Sequence, residues 1–311
     1  QRRSERTIKT YKQTLQHYAK FCADHGLTGA EDDCFKRYIE YMSFYKTKWD
    51  DHPTSRSDEI GVSARTINNI IRNMRIFYNW AESEKLIDRN PAARVGYQTE
   101  DEESFDVFTD EEVKALLDAP NKRIYTGFRD YVMMLVLVDT GVRVGELTAL
   151  KRGDVDLVYR QIVLPAEITK TRRARVVPIS TTTSKALGEL FDMIGADDSQ
   201  PDEHIFLTQF GERYYGDTFA KMLKKYAKKS GYPIKARVSP HTFRHYFAVK
   251  FLRNGGDPFA LMKILGHTDM AMTQRYVRYA KSEVKDIHEK ASPVESIMPQ
   301  RNKRKGSVKF K

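Results

Sequence analysis

Apolar residues in the first part of the chain recur at every third or fourth position, which is the pattern of amphipathic helices. A helix is predicted from Ser4, a suitable N-cap, and its apolar face consists of Ile8, Tyr11, Leu15, Tyr18 and Phe21. A second such face consists of Phe35, Tyr38, Ile39 and Met42. A third consists of Ile67, Ile70, Ile71, Met74, Phe77 and Tyr78. The first hundred residues are therefore predicted to form a small helical bundle.

The apolar pattern is interrupted twice by polar stretches. Residues 48–61 are rich in Asp and Ser and are predicted to be a loop, and the acidic residues 99–106 are predicted to be an interdomain linker. A chain of 311 residues also exceeds what one hydrophobic core usually organises. We therefore predict a helical bundle at 1–98, a second domain at 107–291, and a C-terminal segment at 292–311 that ends in a basic tail.

The second domain combines helical patterns with two short β-like runs. It is predicted to begin with a capping box, Thr109 with Glu112, and an apolar helix at Tyr131 to Val138 is ended by Gly141. Gln161 to Leu164 and Arg175 to Ile179 flank a basic turn and predict strands. Later helices are predicted at His241 to Leu252, Pro258 to Leu265 and Met272 to Lys290. The predicted fold class is mainly α with a small antiparallel β-sheet.

Charge and composition narrow the function. A formal net charge of +11 favours a polyanionic partner, either nucleic acid or an acidic membrane surface. The longest apolar run, Tyr131 to Val138, is much shorter than the roughly 20 residues that span a bilayer, and the hydrophilic start is no signal peptide. The only two cysteines, Cys22 and Cys34, form no close pair, which argues against a disulfide framework or a thiolate metal site. These features favour a nucleic-acid-binding protein in a reducing cytoplasm.

Candidate catalytic residues are weak evidence when taken singly. Arg143 near a helix start is more often an ion-pair residue, and Lys170 in a basic turn is more often a solvated hairpin tip. His241 and His245 share a helical face as a zinc pair would, but the general-base Glu of a metalloprotease is missing and Arg244 would oppose a cation. His241 and Arg244, one turn apart, instead suit joint contact with one anionic group.

Four sequence segments taken together point to a function more specifically than any single residue does. TGVRVGEL, ITKTRRARVVPI, HTFRH and LGHTDMAMTQRY resemble, in this order, the motifs of the tyrosine recombinase, or phage integrase, family. The resemblance covers nearly all of the chain. It implies a helical, SAM-like core-binding domain followed by an α+β catalytic domain. It also implies a site-specific recombinase that cleaves and rejoins double-stranded DNA through a 3′-phosphotyrosyl intermediate, with no metal and no cofactor.

Carried over position by position, the resemblance makes Arg143 and Arg244 the residues that hold the scissile phosphate and Tyr276 the nucleophile. The residue types suit these roles, because forked guanidinium groups bind phosphoryl oxygens bidentately and stabilise charge that develops in the transition state. A tyrosine hydroxyl has a free pKa of about 10 and needs a nearby cation or base to attack. Tyr279, three residues further on, is the alternative nucleophile.

The resemblance also assigns the residues that move protons. Lys170 would protonate the leaving 5′ oxygen, which is otherwise a poor leaving group. His241 and His267 would assist proton movement and hold phosphate oxygens. Glu146 would support the first arginine, with a plain helix-surface role as the alternative. The two other basic residues of the turn, which compete with Lys170 for its role and are also predicted to contact DNA, are Arg172 and Arg173.

The predicted assembly is a tetramer on paired DNA sites, with the two domains closing as a clamp around duplex DNA at the nucleoid. Arg65, Arg72 and Arg75 on the third helix are candidate DNA contacts, and a merely solvated polar face is the alternative. The segment 292–311 is expected to dock on a neighbouring protomer, with packing on its own domain as the alternative.

Two other functions remain open at this stage. A type IB topoisomerase forms the same 3′ linkage but relaxes supercoils, and a DNA-binding accessory protein would keep the fold without the chemistry. No separate leading arm-binding domain is recognised, which favours a recombinase of the Xer or Cre type. The chain begins with Gln rather than Met, however, and the question of an earlier domain stays open.

Overall fold

The computed structural model describes residues 5–48, 58–100, 106–196 and 199–280. The chain divides into two compact units, Gln1–Ser104 and Phe105–Lys311, which we call the first unit and the second unit. The predicted C-terminal segment 292–311 lies outside the described residues, as do most of the predicted polar loop and most of the linker.

The first unit is helical, as predicted. Its described helices are α1 (Glu5–Asp24), α2 (Cys34–Phe44) and α3 (Ala64–Ser83). The helix α3 begins where Ser63 Oγ accepts a hydrogen bond from the Thr66 backbone N–H, at 3.3 Å. The apolar faces meet in an aromatic core. Its largest fully buried side chains are Tyr38, Phe35, Ile67, Ile71 and Met74.

The second unit contains most of the helices. Those described are α4 (Asp110–Asp118), α5 (Tyr125–Thr140), α6 (Val144–Leu147), α7 (Thr181–Ile194), α8 (Gly216–Lys229), α9 (Pro240–Arg253), α10 (Pro258–Leu265) and α11 (Met270–Ala280). The predicted capping box is confirmed, because Thr109 N donates to Glu112 Oε2 at 2.9 Å and Glu112 N donates to Thr109 Oγ1 at 3.2 Å. The helix α5 begins earlier than the predicted start at Tyr131. Its first turns contain Arg129 and Asp130, charged residues that do not fit an apolar pattern but are buried as a pair.

A small antiparallel sheet follows α6, which confirms the predicted fold class. Its strands are β1 (Val155–Asp156), β2 (Gln161–Leu164) and β3 (Arg175–Pro178), hydrogen-bonded in the order β1-β2-β3. In the register of β2 and β3, Ile162 pairs with Val177 and Leu164 pairs with Arg175. The sequence predicted β2 and β3 but not β1, which is only two residues long. The pairing leaves the basic turn at the end of the hairpin.

Buried apolar residues hold the helices of the site together. The helix α5 lies in the core and packs against α9 and α7, with Val132, Met133 and Leu137 completely buried. A smaller apolar cluster joins α9, α10 and α11 through residues that include Phe247 and Leu265. The start of α6, the face of α9 and the face of α11 are thereby fixed near one another. None of the described helices has the length and the apolar composition of a transmembrane segment.

Candidate active site

The turn between α5 and α6 places Arg143. The chain leaves α5 through Gly141, whose φ of +61° is left-handed, and a Cβ there would lie 2.4 Å from Phe247 Cδ1. Only glycine suits this close, left-handed turn. Arg143 then becomes the N-cap of α6, with its backbone N–H donating to Glu146 Oε2 at 2.9 Å and its Nη1 donating to Glu146 Oε1 at 3.0 Å. The remainder of its guanidinium is partly exposed, since the side chain keeps 25% of its accessible surface.

Glu146 lies between two arginines. Arg175 at the start of β3 donates to both carboxylate oxygens, Nη1 to Oε1 at 3.1 Å and Nη2 to Oε2 at 2.6 Å, and its Nε donates to Ile264 O at 2.8 Å. Burial alone would raise the pKa of Glu146, but Arg175 and then Arg143 more than offset this effect, so the pKa lies below its ordinary value. Glu146 is thus a buried carboxylate that orients Arg143, and not a helix-surface residue.

Arg244 is the most enclosed cation of the site, with only 3% of its surface exposed. Its Nη1 donates to Gly141 O at 2.7 Å and its Nη2 donates to Leu265 O at 2.8 Å. Burial, followed by the nearby positive charge of Arg143, lowers the pKa of Arg244 to about 10. The guanidinium therefore remains cationic at neutral pH, in a position fixed by the ends of α5 and α10.

His267 contacts Arg244 directly after the end of α10. Its Nε2 lies 3.0 Å from Arg244 Nη2, and its Nδ1 lies 2.9 Å from Thr273 Oγ1. Because an arginine can only donate, Nε2 must accept, and Nδ1 carries the proton that is donated to Thr273. Burial and then the charge of Arg244 lower the pKa of His267 to about 4. The imidazole is thus neutral at physiological pH.

Tyr276 on α11 faces this group and is 6% exposed. Its ring stacks on the His267 ring with the centroids 6.2 Å apart and an angle of 10° between the planes. Burial raises the pKa of Tyr276, and the charges of Arg244, Arg275 and Arg143 offset only part of this rise. The hydroxyl is therefore protonated at neutral pH. Tyr279 is 39% exposed and lines a groove beside α4, away from this cluster.

His241 and His245 lie side by side on α9. His245 Nδ1 is 2.9 Å from Tyr276 Oη, and the two rings of the histidine pair have centroids 4.3 Å apart. His241, in the first turn of α9, is exposed. In the part of the chain that the structure describes, no group of three or more His, Cys, Asp or Glu side chains has the geometry of a metal site.

The basic turn between β2 and β3 is organised by a buried threonine. Thr169 Oγ1 accepts a hydrogen bond from Arg173 N at 3.1 Å, and Arg172 has a left-handed φ of +52°. Lys170, Arg172 and Arg173 are all exposed on the turn. The described contacts bring Arg143, Glu146, Arg244, His267 and Tyr276 together but do not include Lys170. Its role as the acid remains a prediction.

The three predicted DNA contacts on α3 differ from one another. Arg65 and Arg72 are exposed. Arg75 instead lies over the Tyr97 ring, with 4.7 Å from its Cζ to the ring centroid, and its Nη2 donates to Val95 O at 2.6 Å. Its Nε donates to Ala92 O at 3.2 Å. Arg75 therefore holds the chain that follows α3, which gives it a structural role beside the predicted one.

Two residues of the site were missed by sequence reasoning. Arg175 stands in a run of arginines, and no local signal separates it from Arg172 and Arg173, because its partner is 29 positions away. His245 was noticed only as the neighbour of His241 in a rejected zinc site. The periodicity that put both histidines on one face of α9 was a usable signal, but nothing in it pointed to α11.

Chemically, the cluster combines a fixed cation, a second cation with an accessible edge, neutral imidazoles and a protonated phenol. The arginines can bind the oxygens of a phosphodiester and stabilise negative charge on them. The phenol can attack phosphorus if its proton is removed. The arrangement suits nucleophilic displacement at a phosphodiester by Tyr276.

Comparisons with known proteins agree with this interpretation. A profile described as Phage integrase family matches residues 106–283, and one described as Phage integrase SAM-like domain matches residues 1–97. Tyrosine recombinase XerD of Staphylococcus aureus strain N315 is 28% identical over 292 residues, which cover 93% of each chain. Tyrosine recombinase XerD of Listeria innocua is 27% identical over 295 residues, again 93% of each chain.

Solved structures share the fold. The integrase of the Tn1549 transposon in complex with transposon right end DNA is similar with a TM-score of 0.70 and 19% identity, over 93% of each chain. A lambda integrase dimer bound to a COC′ core site is similar with a TM-score of 0.65 and 17% identity, over 91% of this chain and 74% of the other. At these identities, the two structures show a common fold.

Proposed function

The chain belongs to the phage integrase family and is a tyrosine-type site-specific recombinase, and from this premise we propose that Tyr276 is the nucleophile with which it breaks DNA strands. The observation that carries the proposal is the position of Tyr276 Oη, 2.9 Å from an imidazole nitrogen and beside the buried Arg244. Tyr279 is instead exposed and lines a groove beside α4.

The cleavage step follows from these groups. Arg143 and Arg244 bind the non-bridging oxygens of the scissile phosphate, and their charge stabilises the phosphorane-like transition state. Tyr276 Oη forms a bond to phosphorus while the bond from phosphorus to the 5′ oxygen breaks. The phenol loses its proton, and the departing 5′ oxygen gains one. The product is a 3′-phosphotyrosyl linkage and a free 5′ hydroxyl.

Lys170 is the proposed donor of the proton to the 5′ oxygen. It lies exposed on the turn between β2 and β3, and a side chain of this length can reach a bound DNA strand from there. His241, exposed at the first turn of α9, is proposed to contact the phosphate oxygens. His267 was predicted to do the same, but its Nε2 accepts from Arg244 and its Nδ1 faces Thr273, so we propose that it holds the Arg244 guanidinium in position. Glu146, held in turn by Arg175, is proposed to keep Arg143 in position.

Rejoining repeats the same chemistry in reverse. Since the phosphotyrosyl bond conserves the energy of the broken bond, a 5′ hydroxyl from another strand can attack it without ATP. Double-stranded DNA is the partner. We propose that four protomers act on two paired sites at the nucleoid. We also propose that Arg65, Arg72, Arg172 and Arg173 contribute phosphate contacts, since all four are exposed and positively charged.

The experiment that tests this function follows strand exchange. The site is first identified as the DNA that the protein protects from nuclease digestion in the flanks of its own gene. Two labelled copies of that site are then incubated with the protein. Holliday junctions and exchanged products are expected, whereas relaxation of supercoiled DNA without any junction would identify a topoisomerase instead. Binding with neither activity would identify an accessory protein.

A further inference from the structure

The site contains three histidines near the proposed nucleophile. Their hydrogen bonds indicate which of them can accept a proton from Tyr276. His267 has its acceptor nitrogen occupied by Arg244 Nη2 at 3.0 Å, and its other nitrogen faces Thr273 at 2.9 Å. A neutral imidazole has one acceptor position. His267 therefore cannot receive the proton of Tyr276 in this arrangement without releasing Arg244.

His245 is placed differently. Its Nδ1 lies 2.9 Å from Tyr276 Oη, within the range of a hydrogen bond that can pass a proton. The guanidinium of Arg244 also forms a hydrogen bond with the phenol and can only donate to it. The phenolic oxygen then accepts from Arg244 and has its own proton to give. His245 Nδ1, at 2.9 Å, is positioned to accept it.

The protonation state of His245 fits an acceptor. Burial is the main cause that lowers the pKa of His245 to about 4, and the charges of His241, Arg244 and Arg275 lower it further, against a smaller opposite effect of Asp106. The imidazole is thus neutral and able to accept at physiological pH. A scissile phosphate bound beside it adds negative charge, which favours the imidazolium that forms during attack.

We propose that His245 is a catalytic residue that takes the proton of the Tyr276 hydroxyl during cleavage. As Oη bonds to phosphorus, the O–H bond breaks and its electron pair stays on oxygen, while the proton moves to Nδ1. The electron pair of the broken phosphorus–oxygen bond leaves with the 5′ oxygen. In the rejoining step, the imidazolium returns the proton to the departing phenolate. The proposal rests on Tyr276 being the nucleophile.

The first test compares His245→Asn with His241→Asn. An Asn side chain keeps an oxygen that can accept a hydrogen bond near the position of Nδ1, but it cannot take up a proton at neutral pH. At saturating protein on a nicked suicide duplex carrying the protected site, we expect His245→Asn to slow formation of the covalent adduct by about 10²- to 10⁴-fold. Half-site affinity in a gel shift should be unchanged, because the protein–DNA contacts remain.

The outcomes separate this proposal from the function it rests on. A rate for His245→Asn close to that of the wild type, or a large loss confined to His241→Asn, would overturn the role of His245 while leaving Tyr276 as the nucleophile. An adduct formed by Tyr276→Phe would instead remove the nucleophile itself. If His245→Asn fails to bind the half-site or unfolds at a lower temperature, His245→Gln is measured in the same way.

A second test distinguishes proton transfer from phosphate binding. A DNA strand that ends in a 3′-p-nitrophenyl phosphate can be joined to a 5′ hydroxyl with no protein adduct, and p-nitrophenolate leaves without receiving a proton. In the Tyr276→Phe background, we expect His245→Asn to leave the rate of this joining unchanged. A loss as large as that seen in adduct formation would mean that His245 acts on the phosphate, and the proton-transfer role would be wrong.

Discussion

Tyr18 in the first unit and Tyr276 in the second are both buried phenols, 5% and 6% exposed, but they lie in different chemical surroundings. Tyr18 Oη donates to Cys34 Sγ at 3.0 Å and accepts from Tyr78 Oη at 2.8 Å. Burial raises the pKa of Tyr18, and its contacts with Cys34 and Tyr78 raise it further. Its hydroxyl is satisfied by neutral groups, inside an aromatic core.

Tyr276 is buried to the same extent, but its hydroxyl lies among positively charged groups and an imidazole. Burial raises the pKa of Tyr276, but the charges of three arginines offset part of that rise, and an imidazole nitrogen of His245 lies 2.9 Å from its hydroxyl. Burial alone makes a phenol inert, whether it lies in a core or in a site. Under the proposed function, the nearby cations and a proton acceptor are what would make a buried phenol a nucleophile. Changing one group at a time tests which of these neighbours matters.

The largest expected effect follows from removing the two hydroxyls. Tyr276→Phe should abolish the covalent adduct on a nicked suicide duplex while leaving half-site binding intact, because only the attacking oxygen is lost. Tyr18→Phe should keep the adduct and lower the free energy of unfolding of the first unit by about 1–2 kcal/mol, since buried hydrogen bonds are lost. Urea denaturation measures the second effect. An adduct with Tyr276→Phe, or none with Tyr18→Phe, would contradict this difference between the two phenols.

The next largest effect is expected from removing cations near Tyr276, since the hydroxyl of Tyr18 has only neutral partners. Arg143→Ala should slow adduct formation by about 10²- to 10³-fold, because a donor to the developing charge is removed. A 5′-phosphorothiolate at the scissile bond, whose sulfur leaves without protonation, should restore cleavage to Lys170→Ala but not to Arg143→Ala. Rescue of neither variant would move the acid away from Lys170, with Arg172, Arg173 and His241 as the candidates.

A smaller effect distinguishes two buried ion pairs of the second unit. Asp130 accepts from Arg129 Nη2 at 2.8 Å and from Tyr226 Oη at 2.7 Å, away from the cluster around Tyr276. Glu146→Gln and Asp130→Asn should each destabilise the protein by about 3 kcal/mol, because a buried charge loses its partner. Only Glu146→Gln should also slow cleavage at saturating DNA, by roughly tenfold or more, because Arg143 loses its support. Equal cleavage rates in the two variants would make Glu146 purely structural.

The smallest effect is a difference in acid sensitivity. His267 has a pKa of about 4 in the folded protein and about 6.5 when unfolded, so its contribution to stability is present above pH 6.5 and lost as the pH falls toward 4. In the first unit, hydrogen bonds to the loop before α2 lower the pKa of Glu31 to about 2, and its contribution is lost only below about pH 4.5.

Between pH 6.5 and 5, the second unit should therefore lose stability before the first. Fluorescence follows the first unit, since both tryptophans of the chain, Trp49 and Trp80, belong to it. Amide hydrogen exchange in α5 follows the second. A loss of stability in this range that is equal in the two units, or unaffected by His267→Asn, would contradict the role of the buried imidazole.

Sequence pattern predicted the helices and the fold class because both depend on local periodicity. The three helices of the first unit and the capping box at Thr109 were read directly from spacing. The start of α5 was missed because Arg129 and Asp130 are polar in sequence and buried in the structure. Two charged residues look like surface positions in the sequence, and only their pairing in the folded structure shows that they belong to the core.

The residues of the candidate site were predicted through the order of four motifs, not through local structure. Motif order predicted Arg143, Arg244 and Tyr276, but it carried no information on Arg175, whose carboxylate partner lies on another element. His245 had a visible helical register, yet its contact with α11 depends on how α9 and α11 pack. Residue spacing cannot predict contacts between segments that are far apart in the sequence.

The identity of the residue that carries the DNA is the most direct test of Tyr276 as the nucleophile. The adduct is trapped on a nicked suicide duplex of the protected site and digested with protease and nuclease, and the nucleotide-bearing peptide is then sequenced by mass spectrometry. We predict a phosphotyrosyl nucleotide on Tyr276 and on no other residue. A nucleotide on Tyr279, or on any other side chain, would contradict the claim that the arginine and imidazole groups around Tyr276 make it the nucleophile.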